Sequence, residues 1–224
     1  LRNSSAASDV YKRQQLEHRY KASNLNDPKN VPLIIMLHGY GSDENDLFSF
    51  ASELPSKYAI ISLKAPYSLN PHGNAWYAIH FDNVDGKWSD DNQAINSRDR
   101  VVSVINEIIE KYPVDKNNIT LLGFSQGTIL GLSIALSYPE KIKNIIGLSG
   151  YVNKGILKED YHKNDFKNLN IYSSHGTLDQ VIPVGWDIKT KKILSNIIPD
   201  LTYNEFHAGH GVSPQNFYCL LYTY

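Results

Sequence analysis

A short glycine-flanked segment in the middle of the chain carries the residue type best suited to nucleophilic chemistry. It reads Gly123-Phe124-Ser125-Gln126-Gly127, a G-x-S-x-G motif between an apolar run at residues 119–122 and a helix-prone run at residues 128–132. In a strand-turn-helix setting this motif holds the serine in a strained backbone conformation, and its hydroxyl projects into a cleft above the sheet. The pattern predicts Ser125 as a nucleophile; the alternative is a serine that only caps a glycine-containing helix.

A serine nucleophile needs a base and an acid, and the chain supplies candidates for both. The base removes the hydroxyl proton, and the acid fixes the tautomer of the base. When such a triad lies on a parallel α/β sheet, the acid and then the histidine follow the serine along the chain. His175-Gly176-Thr177-Leu178-Asp179 follows one predicted strand, and His207-Ala208-Gly209-His210-Gly211 follows the last one. Asp179 is therefore predicted as the acid and His210 as the base.

Other acidic and histidine residues fit these two roles less well. Asp187 lies within a predicted helix and Asp200 precedes a predicted strand. Neither is therefore at the carboxyl end of a strand, where α/β sheets bind their ligands. His207 is the rival base, but it directly follows its strand and is expected to support it. The glycines on both sides of His210 favour an exposed turn instead.

The segment His38-Gly39-Tyr40-Gly41 follows an early apolar run and suits a further requirement of acyl transfer, an oxyanion hole. His38 could itself act as a base. A turn of this type fits better as a loop that supplies one backbone N–H to the oxyanion. The second donor would be the backbone N–H of Gln126, the residue after the nucleophile.

A metal site is an alternative for the same side chains. His207, His210 and Asp179 contain suitable ligand atoms. Both histidines lie on a glycine-rich turn, however, and no further His, Asp or Glu cluster completes a site. The sequence therefore predicts no metal and no other cofactor.

Composition and charge argue against several classes of partner. The 224 residues are 42% hydrophobic and include 22 basic and 23 acidic residues, for a net charge of -1. A chain of this size can bury one sizeable core, and the balanced charge predicts no nucleic-acid binding and no stable membrane insertion. No run has the length of a membrane span and no secretory leader is recognisable, so a cytoplasmic protein is expected. Nothing in the sequence decides between a monomer and a homodimer.

Both ends of the chain contain sequence that we expect not to be native. Residues 9–14 read Asp-Val-Tyr-Lys-Arg-Gln, the translation of a transposon end used to prepare sequencing libraries. Residues 219–223 decode from the reverse complement of the same DNA in another frame. We therefore interpret residues 1–14 and 219–224 as scars, and predict one domain at residues 15–218. Cys219, the only cysteine, would then not be native, and no disulfide can form within the chain.

The elements that must position these residues alternate between strands and helices from residue 32 onward. The predicted strands are nearly continuous apolar runs, which is typical of a parallel sheet covered by helices on both faces. The fold class is therefore α/β, with a doubly wound, mostly parallel sheet and no large lid domain. Strands are predicted at residues 33–37, 58–63, 118–124, 144–148, 169–174 and 201–206, and helices at residues 43–51, 97–112, 126–138 and 184–197.

Residues 67–96 interrupt this alternation with a stretch rich in Asn, Asp, Gly and aromatic residues. A loop of this length inside a compact domain is usually functional, and the alternative is a solvated surface excursion. The stretch contains no amphipathic helix long enough to cap a deep lipid tunnel. Because added methylenes improve binding only where they are buried, we expect acyl chains of about four to eight carbons to be preferred.

Four segments in this order, residues 37–42, 123–127, 175–179 and 209–210, make the chain resemble the phospholipase/carboxylesterase family of α/β-hydrolases, which includes the acyl-protein thioesterases. The resemblance runs from about residue 32 to residue 217. It implies a metal-independent serine esterase whose oxyanion hole is formed by the backbone N–H groups of Tyr40 and Gln126. It also implies that Trp76 and Tyr77 line the substrate cleft. Thr128 departs from the family pattern, since many members have Gly there.

We therefore expect a serine carboxylesterase that hydrolyses short to medium acyl esters through an acyl-enzyme on Ser125. Thioesters are an open alternative to oxygen esters. The partner would be a small-molecule or lipid-like acyl ester. Two other functions use the same fold: a catalytically silent binding module, and an acyltransferase that passes the acyl group to an acceptor other than water.

Overall fold

A seven-stranded sheet organises the protein, in a computed structural model that describes residues 16–82, 86–213 and 216. The sheet strands are β1 (His18–Lys21), β2 (Leu33–Leu37), β3 (Ala59–Leu63), β8 (Ile119–Phe124), β9 (Asn144–Leu148), β10 (Asn170–Gly176) and β11 (Asp200–Phe206). The strand order is β1-β3-β2-β8-β9-β10-β11, and each neighbouring pair is parallel except β1 and β3. The α-helices are α1 (Asp91–Lys111), α2 (Gln126–Ser137) and α3 (Val184–Ser195). Short 3₁₀ helices lie at Pro28–Asn30, Leu47–Ser52, Lys154–Ile156 and Tyr161–Lys163.

Helical segments cover both faces of this sheet, as the apolar strands require. All five residues of β2 are buried, and alternate side chains of a strand point to opposite faces. Leu33, Ile35 and Leu37 join one core cluster with residues of α1 and α2. Ile34 and Met36 join a second cluster with residues of the 3₁₀ helix Leu47–Ser52. The predicted α/β class with a mostly parallel sheet is confirmed.

Three elements differ from the sequence-based prediction. Helix α1 begins at Asp91 rather than near residue 97, because the Asp90 side chain accepts the N–H of Gln93 at 3.0 Å and caps a polar first turn. The helix predicted at residues 43–51 is only the 3₁₀ helix Leu47–Ser52. Strand β1 was not predicted at all, since His18–Lys21 has no apolar pattern and pairs antiparallel with β3 at the sheet edge.

Residues 67–96 contain two short antiparallel hairpins before α1 starts. Strand β4 (Tyr67–Ser68) pairs with β5 (Asn74–Ala75), and β6 (Ile79–Asp82) pairs with β7 (Gly86–Ser89). A bridge from Ser42 to Asn74 ties the first hairpin to the loop after β2. This stretch is therefore anchored beside the carboxyl ends of the sheet strands.

Two sequence-based expectations concern residues outside these ranges. The segments interpreted as scars, residues 1–14 and 219–224, lie outside the described residues, so the domain limits of 15–218 stay a prediction. Among the helices that are described, none has both the length and the apolar character needed to cross a bilayer.

Candidate active site

Ser125 stands at the tight turn between β8 and α2, in the strained conformation that the motif predicts. Its backbone has φ 52° and ψ −116°, a region that residues with side chains rarely adopt. Its N–H donates to the carbonyl of Leu148 at 2.8 Å, which ties the turn to β9. Gly127 packs so closely beneath the turn that a Cβ there would overlap the carbonyl of Leu37. The surrounding backbone therefore holds the strained serine in place.

The structure brings Ser125, His210 and Asp179 together in hydrogen-bonding order. His210 Nε2 lies 2.9 Å from Ser125 Oγ, and His210 Nδ1 lies 2.7 Å from Asp179 Oδ2. Asp179 is buried, His210 is partly exposed, and Ser125 is 9% exposed. A serine hydroxyl beside an imidazole that is oriented by a buried carboxylate is the arrangement that activates a serine nucleophile.

The Asp179 carboxylate is held on both of its oxygens. Oδ2 accepts the hydrogen bond from His210, and Oδ1 accepts the backbone N–H groups of Val181 and Ile182 at 2.8 and 2.9 Å. Burial raises the pKa of Asp179, but these hydrogen bonds outweigh it and leave the pKa below its ordinary value. The group is therefore an anion at neutral pH and can stabilise a positive charge on His210.

The loops after β10 and β11 are tied to each other, which fixes the distance between acid and base. The two strands are parallel, with Gly176 opposite Phe206. Beyond their ends, Thr177 N–H donates to the Phe206 carbonyl at 2.8 Å and Leu178 N–H donates to the Ala208 carbonyl at 3.0 Å. His207 points elsewhere: it is exposed and does not line the cleft around Ser125.

Tyr40 and Gln126 are the residues whose backbone N–H groups are candidates for the oxyanion hole. In the described part of the chain, the N–H groups of Tyr40 and Gln126 have no hydrogen-bond acceptor, and both residues line the cleft. The loop after β2 lies against the nucleophile, since a Cβ built on Gly39 would be 3.5 Å from Ser125 Cβ. Gly41 N–H donates to the Asn74 carbonyl at 2.9 Å and holds this loop.

His38 supports the same loop from below and does not act on Ser125. Its ring is buried, with Nδ1 donating to the Gly39 carbonyl at 2.7 Å and Nε2 accepting the N–H of Ala65 at 3.0 Å. Burial lowers the pKa of His38, which keeps the ring neutral and suits this pair of bonds. The loop that carries Tyr40 is therefore braced by a neutral histidine.

The structure places Trp76 away from the cleft that it was predicted to line. Its side chain is fully buried and is not among the cleft residues, because its indole N–H donates to the His38 carbonyl at 2.9 Å beneath the oxyanion loop. The Trp76 backbone N–H donates to Gln126 Oε1 at 2.8 Å, and Gln126 Nε2 donates to the Tyr77 carbonyl at 2.8 Å. Trp76 thus supports the oxyanion loop, whereas Tyr77 does line the cleft.

The cleft around Ser125 has a volume of about 500 Å³ and mostly apolar and aromatic walls. Tyr151 and Trp186 form one wall, with ring centroids 4.8 Å apart. The same two residues also line a neighbouring groove of about 570 Å³. Besides the residues already named, the cleft is lined by Ile79, Ser89, Asp91, Phe124, Ile129, Asn153, Val181 and Ile182.

Sequence reasoning missed Tyr151, Trp186 and Asp91. Tyr151 follows β9 at the carboxyl end of a parallel strand, and this position could have identified it. Trp186 lies in the first turn of α3, where a helical pattern gives no sign of a cleft. Within the described ranges, no group of three or more His, Cys, Asp or Glu residues is arranged to hold a metal ion.

The chain is similar in sequence to the phospholipase/carboxylesterase family and in fold to a solved carboxylesterase structure. The sequence model of the phospholipase/carboxylesterase family matches residues 22–221. Acyl-protein thioesterase 1 of Saccharomyces cerevisiae is 31% identical over 194 residues, which cover 80% of this chain and 84% of the relative. Acyl-protein thioesterase 1 of Kluyveromyces lactis is 30% identical over 76% of this chain and 78% of the relative. The crystal structure of the Bacillus cereus carboxylesterase superposes with a TM-score of 0.80 at 18% identity, covering 95% of this chain and 96% of that one.

Proposed function

The chain belongs to the phospholipase/carboxylesterase family and is an ester-hydrolysing enzyme, and from this premise we propose that it is a serine carboxylesterase for short to medium acyl esters. The hydrogen-bonded series Ser125, His210 and Asp179 carries this proposal. The three groups come from loops after three different strands, and a structural role alone would not require this convergence on one serine hydroxyl.

In the proposed cycle, His210 Nε2 removes the proton from Ser125 as its Oγ attacks the acyl carbonyl. The negative charge on the tetrahedral oxygen is stabilised by the N–H groups of Tyr40 and Gln126. His210 then protonates the leaving group, and water attacks the acyl-enzyme with His210 again as the base. Asp179 stabilises the positive charge that His210 carries in both halves of the cycle.

The walls of the cleft support a substrate with a neutral acyl group of modest length. Apolar and aromatic side chains dominate the walls, and Asp91 is the one carboxylate among the described residues that line the cleft. A carboxylate in the wall disfavours an anionic group on the substrate. Each methylene that is buried contributes about 0.8 kcal/mol, so the preferred chain length depends on how many methylenes fit against the walls, Tyr151 and Trp186 included. We therefore propose acyl chains of about four to eight carbons as the preferred range.

Thioesters of the same acyl groups are proposed as second substrates. The relatives from Saccharomyces cerevisiae and Kluyveromyces lactis carry the name acyl-protein thioesterase. An acyl-enzyme on Ser125 would form from either ester, since only the leaving group differs. Rates with matched oxygen esters and thioesters of one acyl chain would establish the preference.

Labelling with a fluorophosphonate probe tests the nucleophile directly. The wild-type protein should be labelled covalently on Ser125, and Ser125→Ala should lose both labelling and ester hydrolysis while its circular dichroism spectrum stays unchanged. An unlabelled wild-type protein would favour the silent binding module. Labelling that persists in Ser125→Ala would place the nucleophile elsewhere, and product analysis with added alcohols would detect acyltransfer.

A further inference from the structure

A second histidine and aspartate pair lies buried behind Asp179. His175 is in β10 and Asp187 is in α3, and both side chains are 1% exposed. His175 Nδ1 lies 3.8 Å from Asp187 Oδ1, and neither atom has a hydrogen-bond partner among the residues that the structure describes. Two buried polar atoms that face each other without a partner on either side call for an explanation.

The bonding of the His175 ring indicates where a proton must lie. Nε2 is 3.0 Å from the Ile182 carbonyl oxygen, which can only accept, so Nε2 carries a proton. In the neutral ring, Nδ1 would then present a lone pair to Asp187. If Asp187 were also ionised, two lone pairs would face each other at a buried site. One additional proton, on Nδ1 or on Asp187 Oδ1, removes this conflict.

The groups around Asp187 shift its pKa in both directions. Burial is the largest effect and raises the pKa of Asp187 to about 6; His175 and Lys191 lower it, whereas Glu205 and Asp179 raise it. The Tyr203 hydroxyl donates to Asp187 Oδ2 from β11. The net direction agrees with the geometry, since a raised pKa means that the pair retains its additional proton to higher pH.

The pair is in contact with the candidate catalytic acid. His175 Nε2 lies 3.5 Å from Asp179 Oδ2, the oxygen that also accepts the hydrogen bond from His210. Ile182 links the same groups, because its N–H donates to Asp179 Oδ1 and its carbonyl accepts from His175. A movement of the His175 ring or a change in its charge would therefore alter the position and the electrostatic environment of the Asp179 carboxylate.

We propose that His175 and Asp187 share one proton and that the resulting pair positions Asp179 for its interaction with His210. With the proton the pair is neutral, and His175 presents a fixed N–H edge to Ile182 and Asp179. Without the proton the pair carries one negative charge, and the opposed lone pairs drive the His175 ring away from Asp187. His175 and Asp187 are positioning residues, and this role rests on the proposed triad.

Asp187→Asn separates this role from simple structural support. The amide can donate to His175 Nδ1 and still accept from Tyr203, so it mimics the protonated pair at every pH. We expect kcat/KM of the wild type and of Asp187→Asn to agree within about twofold near pH 5.5. Above pH 8, where the wild-type pair has lost its proton, kcat/KM of the variant should be about threefold higher than that of the wild type. A ratio that does not change with pH would overturn the proposal. Asp165→Asn, at an exposed carboxylate paired with Lys167, is the matched control and should give a flat ratio.

Nuclear magnetic resonance provides a readout that does not depend on activity. With ¹⁵N-labelled histidine, the chemical shift of His175 Nδ1 should move with pH in the wild type and stay constant in Asp187→Asn. Tyr203→Phe removes the hydroxyl that stabilises the Asp187 carboxylate and should move the wild-type titration to higher pH. A His175 Nδ1 shift that is constant from about pH 5 to pH 9 in the wild type would refute the shared proton. An inactive wild type with the expected titration would refute the proposed function instead.

Discussion

At the scale of single residues, most of the candidate site could be predicted because its reactive residues lie in short sequence motifs. Ser125, Asp179 and His210 each lie in a short motif, and their order along the chain matches the order that such triads follow on α/β sheets. Trp76 could not be placed in the same way. An aromatic residue in a polar loop reads the same from sequence whether its ring faces a cleft or packs beneath it.

The first prediction concerns Asp179, whose Oδ2 lies 2.7 Å from His210 Nδ1 and which we propose holds the tautomer of His210. Asp179→Asn should lower kcat by about 10⁴-fold, because an amide donor at this position stabilises the wrong histidine tautomer. Steady-state kinetics with a p-nitrophenyl ester measure the loss. His207→Ala is the control and should be mild, since His207 is exposed and lies outside the cleft. If His207→Ala were the more damaging change, the base assignment would be reversed.

The second prediction concerns Trp186, which stands between the cleft and the neighbouring groove. Trp186→Ala should join the two spaces and shift the preference toward longer acyl chains, by about fourfold in kcat/KM for each additional methylene that becomes buried. A scan of p-nitrophenyl esters from four to sixteen carbons measures the profile. Trp186→Phe keeps an aromatic wall and should keep the wild-type profile. An unchanged optimum in Trp186→Ala would contradict the role of this wall.

At the scale of elements, the buried strands and α2 could be predicted from their apolar runs. The side-chain contacts that join these elements to one another could not. Thr128, in the first turn of α2, shows what sequence alone leaves out. Its hydroxyl accepts the N–H of Leu148 at 2.9 Å, and lies 2.7 Å from the Gly123 carbonyl and 2.8 Å from the Leu148 carbonyl. One side chain thereby joins α2 to the ends of β8 and β9. No local pattern encodes a contact between residues so far apart in the chain.

The third prediction tests this connection. Thr128→Val keeps the shape but removes the hydroxyl, leaving the buried Leu148 N–H without an acceptor at a cost of about 1–3 kcal/mol. The loss should appear as a lower midpoint in urea unfolding with an unchanged slope. Thr128→Ser keeps the hydroxyl and should lose less than Thr128→Val. Equal stability of Thr128→Val and wild type would show that the bond has no net effect.

At the scale of the whole molecule, the site depends on a strand order that the sequence does not state. Ser125 follows β8 and His210 follows β11, and two strands of the sheet lie between them. Pairing between strands joins residues distant in the chain, so local patterns predict the strands but not their neighbours. The fold class followed from the alternation of elements, while the edge strand β1, which has no apolar pattern, was missed.

The fourth prediction concerns the limits of the molecule. If residues 1–14 derive from a synthetic oligonucleotide, selection never fitted them to this core, and deleting them should leave the melting temperature and kcat unchanged. Differential scanning calorimetry and ester hydrolysis measure the two properties. Removing residues 1–21 is the control, because this larger deletion also removes β1 and should lower the melting temperature. A large drop on removal of residues 1–14 alone would contradict the interpretation of these residues as a scar.

The close packing around Thr128 also constrains the order in which substitutions could accumulate during evolution. Many members of the resembled family have Gly at this position, and here a Cβ on Gly150 would lie only 2.4 Å from the Thr128 Cβ and Cγ2 atoms. The small space beneath the nucleophile turn can therefore hold a side chain from position 128 or from position 150, but not from both. A lineage could acquire Thr128 only while residue 150 was glycine, and once Thr128 was fixed, position 150 was closed to every larger residue. Gly150→Ala should accordingly cost less stability in Thr128→Gly, where only the Ser125 carbonyl at 3.2 Å stays close to the new Cβ, than in the wild type, where Thr128 blocks the space.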